Sequence, residues 1–303
     1  MDLFDKPFRA LLEKFSAIEH YQRIVGNNTQ KLLSDLADTK KNLEQLDADT
    51  QALMGSSINA FYFYSPYDGT AIPYDSKRTS VDEAIQLTFL HKNKQYQWLL
   101  AEAYEGYEDC LEHMYASAGY TDIRFWPAKD YDSHEPAQAQ AAGLEWFVNQ
   151  AKRKRGIPAS ILAQFRRELP SFVTWERQNL LHMDLRLSSV LIEKLRHIIV
   201  HKNGRTDQRA KMIEEILKQA NHVGDKTLEP RSRAYVSSFF GTDDHDGLVV
   251  LVERPVVQRG GVNIAINRVS NLMGEMLAHA LIIRNELIQR FSKTQPPVTN
   301  SSG

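Results

Sequence analysis

The chain of 303 residues contains a single cysteine, Cys110, so it cannot form a disulfide bond within itself. One cysteine in a chain of this length is compatible with a reducing compartment, and we expect a cytoplasmic protein. The N-terminal residues lack a basic stretch followed by an apolar core, so no signal peptide is predicted. The apolar runs also fall short of the ~18 residues that a membrane helix needs, so we expect no membrane partner.

Several motifs that would define a function class are missing as well. The formal net charge of −1 disfavours a globally basic nucleic-acid binder, although it leaves room for a local basic patch. A Walker-type glycine-rich loop and a nucleophile elbow are both absent, which excludes P-loop NTPases and typical serine hydrolases. The acidic segment at residues 243–247 lacks the complete EF-hand pattern. We therefore expect no cofactor.

What is present is a helical pattern of apolar residues along most of the chain. Residues 3–54 predict a helix, which residues 26–28 either break into a hairpin or only weaken, and its second half resembles a solvated arm with one narrow apolar seam. Ser80 and Glu83 have the spacing of a capping box, and they begin a helix that we expect to end at Gly119. Further helices are predicted over residues 144–154, 158–169, 180–202, 206–220 and 263–291.

Two short segments favour β-structure. Residues 60–66 are aromatic and predict a short strand or a packed loop, with a loop continuing through Ser76. Residues 248–252 are rich in β-branched side chains, and together with residues 255–257 they predict a small hairpin.

These segments predict a mainly α fold, a helical bundle with a small β-hairpin and an N-terminal helical arm. We divide the chain into three segments. An arm with an aromatic loop covers residues 1–78, and a helical bundle with an insertion at about 120–170 covers residues 79–291. A disordered tail covers residues 292–303.

The densest group of chemically capable side chains lies at the end of the helix predicted over residues 180–202. It consists of two histidines, two arginines and a lysine, namely Arg196, His197, His201, Lys202 and Arg205. Gly204 is a typical helix stop. His197 and His201 share a helix face, whereas Arg196 and His201 differ by about 140° around a regular helix. The latter two approach each other only if the last turn loosens and the long arginine side chain wraps round.

Composition and spacing leave three interpretations of this group. Cations are favoured at any helix C-terminus by about 0.3–1 kcal/mol each, so the group can be an ordinary helix end. Glu193, His197 and His201 can instead be the ligands of a metal ion, although the neighbouring cations would repel it. The third interpretation is phosphate chemistry on RNA, in which histidine moves protons and arginine holds phosphate oxygens.

Arg196, His197 and His201 match the motif of the HEPN (higher eukaryotes and prokaryotes nucleotide-binding) superfamily. That motif is an arginine, a polar residue, three further residues and a histidine near the end of a long helix, and Asn203 with Gly204 is typical of its setting. Residues 98–111 resemble the first HEPN helix. The resemblance covers about residues 80–291 loosely, and only the short motif is sharp. His197 stands where asparagine is more common, and Asn203 stands where one toxin subgroup has tyrosine.

The resemblance implies a metal-independent endoribonuclease, of a kind that often serves as a toxin of toxin–antitoxin pairs or in antiviral defence. It implies that His201 is the catalytic acid/base, that Arg196 binds phosphate and that His197 supports them, with no metal ion. It also implies a homodimer with a composite site, RNA as substrate, and a neutralising or sensor protein as a further partner. Lys202, Asn203 and Arg205 would extend the RNA-binding surface. Carboxylates of the first bundle helix would balance the charge, and the candidates are Glu102, Glu105, Glu108 and Asp109.

An alternative function class is a non-catalytic helical interaction protein. In that case residues 3–54 would bind the partner, and the arginine and histidines would only end a helix. The four carboxylates would then be a solvated acidic face.

Overall fold

A computed structural model describes residues 2–132, 134–154, 156–259 and 262–292. It is mainly helical with two small antiparallel hairpins, which confirms the predicted fold class. The helices are α1 (Asp2–Leu43), α2 (Ala48–Met54), α3 (Val81–Thr121), α4 (Pro136–Ala141), α5 (Leu144–Lys152), α6 (Ala159–Glu168), α7 (Pro170–Trp175), α8 (Leu185–His201), α9 (Arg209–Gln219), α10 (Leu228–Ser237) and α11 (Arg268–Ser292). The strands are β1 (Ser56–Tyr64), β2 (Ala71–Ser80), β3 (Arg254–Arg259) and β4 (Val262–Ile266).

The chain divides into two compact units, one formed by Met1–Glu19 with Gln97–Gly303 and the other by His20–Tyr96. Within the described ranges, no helix is long and apolar enough to cross a bilayer. Residues 293–303, most of the predicted disordered tail, lie outside the described residues.

The unit formed by residues 20–96 contains the larger hairpin. Helix α1 continues through residues 26–28 without a break. Strand β1 pairs with β2 antiparallel from Ser56–Ser80 to Tyr64–Ala71. The predicted loop through Ser76 was therefore wrong, because the chain turns after Tyr64 and returns as a second strand. The capping box is confirmed, since the Glu83 amide donates to Ser80 Oγ at 3.2 Å and the Ser80 amide donates to Glu83 Oε2 at 2.8 Å.

In the other unit, helices pack around α8 and α11. Helix α8 packs against α11 and α9, α11 also packs against α7, and α9 packs against α10. Their facing apolar side chains are buried, as the spacing of three and four residues predicts. The buried set includes Leu111 and Met114 of α3, Leu191, Leu195 and Ile198 of α8, and Leu272, Met276 and Ile283 of α11.

Two predicted boundaries in this unit were wrong. Residues 248–252 do not pair with residues 255–257. Instead the Val249 amide donates to the Gly204 carbonyl at 2.8 Å, and Val249 bridges to Phe240. The small C-terminal hairpin is formed by β3 and β4, so α11 begins at Arg268 rather than near residue 263. Apolar, β-branched character alone does not specify which segment a strand pairs with.

A buried carboxylate, Glu176, joins several of these helices. It is 1% exposed and accepts hydrogen bonds from Arg166 of α6 at 2.7 and 2.8 Å and from His279 Nε2 of α11 at 2.9 Å. The other ring nitrogen of His279 lies 2.5 Å from the Tyr107 hydroxyl of α3. Burial opposes ionisation of Glu176, but the hydrogen bonds from Arg166 and His279 outweigh it and lower its pKa to about 2. The carboxylate is therefore ionised at neutral pH.

We expect Glu176→Gln to destabilise the protein by about 3 kcal/mol at neutral pH, because it leaves the partly buried Arg166 without its countercharge. The pKa of Glu176 is lower in the folded state than in the unfolded state. The loss of stability is therefore complete above about pH 4.5 and becomes smaller as pH falls towards 2. Urea unfolding of both proteins across that range measures it. Glu214→Gln, which breaks an exposed ion pair with Arg233, is the control and should leave the midpoint nearly unchanged. Equal midpoints for wild type and Glu176→Gln would contradict this role.

Candidate active site at the end of helix α8

Helix α8, which carries the predicted site, is anchored at its start by Asp184. The Asp184 carboxylate accepts a hydrogen bond from the Leu187 amide at 2.8 Å, which is the N-cap interaction that a helix start favours. Its other oxygen lies 2.8 Å from Nε2 of the buried His222, whose Nδ1 lies 2.6 Å from Ser232 Oγ. The helix therefore begins at Leu185, five residues after the first residue of the predicted helix.

The end of α8 is fixed by a left-handed turn. Asn203 and Gly204 have φ angles of 53° and 79°, and the Gly204 amide donates to the Ile198 carbonyl at 3.0 Å. A Cβ on Gly204 would collide with the side-chain amide of Gln97, which itself donates to the Val249 carbonyl at 2.7 Å. Only glycine fits there, so the close packing of this backbone against Gln97 sets the distance between the end of α8 and α3.

One face of this helix end lines a cleft of about 370 Å³ between α3, α8 and α9. The cleft is bordered by Tyr104, Glu108, Ile157, Glu193, Lys194, Arg196, His197, Lys202, Gln208, Lys211, Met212 and Glu215. Four of these side chains are cationic and three are carboxylates, so the lining has a formal charge of +1 with His197 neutral. Three members of the group predicted from the sequence, Arg196, His197 and Lys202, thus line a concave, solvent-reachable surface, whereas His201 and Arg205 lie outside its lining.

Arg196 lies against α3 in this cleft. Its guanidinium is centred 5.9 Å from the ring of Tyr104, its Nη2 lies 4.0 Å from Glu105 Oε1, and its side chain is 26% exposed. The Nε atom is buried and has no hydrogen-bond partner among the described residues. The arginine is therefore held by an aromatic face and a weak ion pair, and it keeps donors free for an anion.

Two carboxylates beside Arg196 are partly buried. Burial raises the pKa of Glu108 to about 7, and nearby Glu112, Glu193 and Glu105 add to the rise, although Arg196 opposes it. Burial also raises the pKa of Glu193. Of the four carboxylates predicted to balance the site, the structure brings Glu105 and Glu108 to Arg196.

The two histidines lie next to each other. The rings of His197 and His201 are 4.8 Å apart, and both side chains are exposed. Burial, and then the positive neighbours His201, Lys194, Lys202 and Arg196, lower the pKa of His197, so it is mainly neutral at pH 7. Because α8 stays helical through His201, the predicted loosening of the last turn does not occur, and His197 lies between Arg196 and His201 around the helix.

Of the remaining predicted residues, one lines the cleft and the others lie outside its lining. Lys202 lines the cleft. Asn203 forms the left-handed turn, and Arg205 donates to the Asp244 carbonyl at 3.1 Å, so neither lines the cleft. Glu102 and Asp109 are exposed on α3 and lie outside the cleft lining. Charge and proximity in sequence therefore overestimated the extent of the site.

The metal-site interpretation required Glu193, His197 and His201 to form a ligand cluster. Across the ranges that the structure describes, no group of three or more His, Cys, Asp or Glu side chains is arranged to hold a metal ion. The paired rings of His197 and His201 are instead close to cations that disfavour a metal.

Several cleft residues were not predicted as site residues. Tyr104 is 2% exposed, and Lys211 and Met212 come from α9. The sequence suggests Glu193 only as a metal ligand. The helical spacing of Glu193, Arg196 and His197, at i, i+3 and i+4, was the signal that could have joined them on one face.

Glu108→Gln tests whether this carboxyl is held protonated. The folded-state pKa of about 7 lies above the ordinary value of 4.5, so the wild type loses stability as pH rises between those values. We expect the variant to gain in unfolding midpoint relative to wild type between about pH 5 and about pH 8. Glu102→Gln, at an exposed position of the same helix, should show no such trend in thermal unfolding. Parallel pH curves for wild type and Glu108→Gln would contradict the assignment.

The chain was also compared with known proteins. No family model, no curated protein and no solved structure matches it. The HEPN resemblance therefore rests on Arg196, His197, His201 and their helical setting.

Proposed function

We propose that this protein is a HEPN-type, metal-independent endoribonuclease. The observation that carries the proposal is the grouping at the end of α8. Arg196 lines a cleft with free donors, His197 lies beside it, and the His197 ring contacts His201 at the exposed helix end. This set can bind a phosphate and move protons near neutral pH.

The chemistry needs the ribose 2′-hydroxyl of RNA. Its oxygen forms a bond to phosphorus while the bond from phosphorus to the 5′-oxygen breaks, which leaves a 2′,3′-cyclic phosphate and a free 5′-hydroxyl. His201 takes or gives the proton in these transfers, and Arg196 stabilises the negative charge that develops on the phosphate oxygens. Neutral His197 supports His201 without adding a positive charge. DNA lacks the nucleophile and would not react.

The proposal includes a symmetric dimer. One proton must be removed from the 2′-oxygen and another delivered to the 5′-oxygen, and a second copy supplies a second exposed His201. In a two-fold interface each motif faces its own copy, so the same helix end contributes twice. Two clusters of cations repel each other unless an anion lies between them, and an RNA phosphate supplies that anion.

A second candidate function is partner binding by the smaller unit. The hairpin of β1 and β2 exposes Phe61, Tyr62, Phe63, Tyr64 and Tyr74, and exposed apolar clusters of this kind mark interaction surfaces. If this is the only function, the purified protein has no RNA cleavage that depends on His201. One assay therefore separates the two candidates.

We expect His201→Ala to reduce RNA cleavage by about 10²–10⁴-fold, because it removes the proton-transfer group. Arg196→Ala should cost about 10²–10³-fold through lost charge stabilisation. Cleavage of a labelled RNA in the presence of EDTA measures both, with circular dichroism to verify folding. His91→Ala, at an exposed position of α3, is the matched control and should cleave like the wild type. Wild-type cleavage by His201→Ala would refute the proposed mechanism.

A further inference from the structure

The cleft beside Arg196 contains buried polar groups that the protein itself does not satisfy. Tyr104 is 98% buried, since its exposed fraction is 2%, yet its hydroxyl has no hydrogen-bond partner among the described residues. The same holds for Arg196 Nε. Buried polar atoms in proteins almost always have partners, so two unsatisfied atoms in one cleft are available to a bound molecule.

Two carboxylates of the cleft also have oxygen atoms that are available to accept hydrogen bonds. Glu108 and Glu193 are half-buried, and within the described parts of the chain neither makes a hydrogen bond or an ion pair within 4.0 Å. Arg196 makes its ion pair with Glu105, at 4.0 Å, and acts on Glu108 only by opposing the rise in its pKa. A ligand that forms hydrogen bonds with both carboxylates must present N–H or O–H donors to them.

The size and lining of the cleft fit a flat heterocycle. Its volume of about 370 Å³ falls in the range of small-molecule pockets. Ile157 and Met212 provide apolar surface, and Lys194, Lys202 and Lys211 are the cations of the lining besides Arg196. Because Arg196 and His197 belong to the same lining, a base held there is attached to a phosphate at the proposed catalytic groups.

We propose that this cleft binds the base of the nucleotide next to the cleaved phosphate and selects guanine, with Glu108 and Glu193 accepting from N1–H and the N2 amino group. The proposal rests on the proposed function. Guanine alone among the four bases has two adjacent donors on its Watson–Crick edge. Adenine and cytosine each have an acceptor beside their amino group, and uracil has a single donor between two acceptors. The Tyr104 hydroxyl and the lysines are donors suited to guanine O6 and N7.

Calorimetric titration with the four nucleoside 3′-monophosphates tests this without any cleavage step. At pH 8, above the pKa of about 7 of Glu108, the wild type should bind guanosine 3′-monophosphate about tenfold tighter than the other three, as a charged hydrogen-bond acceptor predicts. Glu108→Gln and Glu193→Gln should each lose most of that preference while still binding the phosphate. Glu102→Gln, on the same helix but outside the cleft, should retain it.

Mapping of cut sites in an RNA of mixed sequence separates this inference from the proposed function. If RNA is cut with no base preference and the four nucleotides bind equally, guanine selection is wrong and the nuclease stands. If guanosine 3′-monophosphate binds selectively but no RNA is cut, the nuclease is wrong and the guanine site stands. An unchanged guanine preference in both glutamine variants would also overturn the assignment of Glu108 and Glu193.

Discussion

A single buried carboxylate, Glu176, is the interaction on which the larger unit of this protein depends. It lies at the end of α7 and neutralises Arg166 of α6, while His279 of α11 connects it to Tyr107 of α3. Its own backbone carbonyl accepts a hydrogen bond from Leu185, the first residue of α8, at 2.8 Å. A buried charge is tolerated only when it is paired and hydrogen-bonded, so these helices must meet at this point.

The packing of these helices around Glu176 also fixes the geometry of the candidate site. Helix α8 is held at its start by Glu176 and by the Asp184 cap, and at its end by Gly204 packed against Gln97 of α3. Between these two anchors, Arg196 and His197 project into the cleft and His201 reaches the exposed helix end. The proposed proton transfer requires its groups to be held in a fixed geometry, and a helix anchored at both ends provides it.

The helices were predictable because their apolar spacing and caps are local. The capping box at Ser80 and the end of α8 at Gly204 followed from a few neighbouring residues. The partner of residues 248–252 was not predictable, because strand pairing depends on where the chain returns in space. For the same reason, the candidate site was only partly predictable from the sequence. Arg196 and His197 lie on one helix and were predicted from its sequence. Tyr104 and Lys211 reach the cleft from α3 and α9, and no local sequence pattern associates them with it.

The proposed cleavage of RNA at the end of α8 requires the ribose 2′-hydroxyl, and a single 2′-deoxy substitution tests this requirement. The measurement compares the cleavage of an RNA oligonucleotide at one mapped site with cleavage of the same oligonucleotide carrying 2′-deoxyribose at that site alone. If the 2′-hydroxyl is the nucleophile, cutting stops at the substituted position and continues elsewhere. The same mechanism also predicts a 2′,3′-cyclic phosphate on the products of the unmodified RNA. Equal cutting at the deoxy position would contradict it.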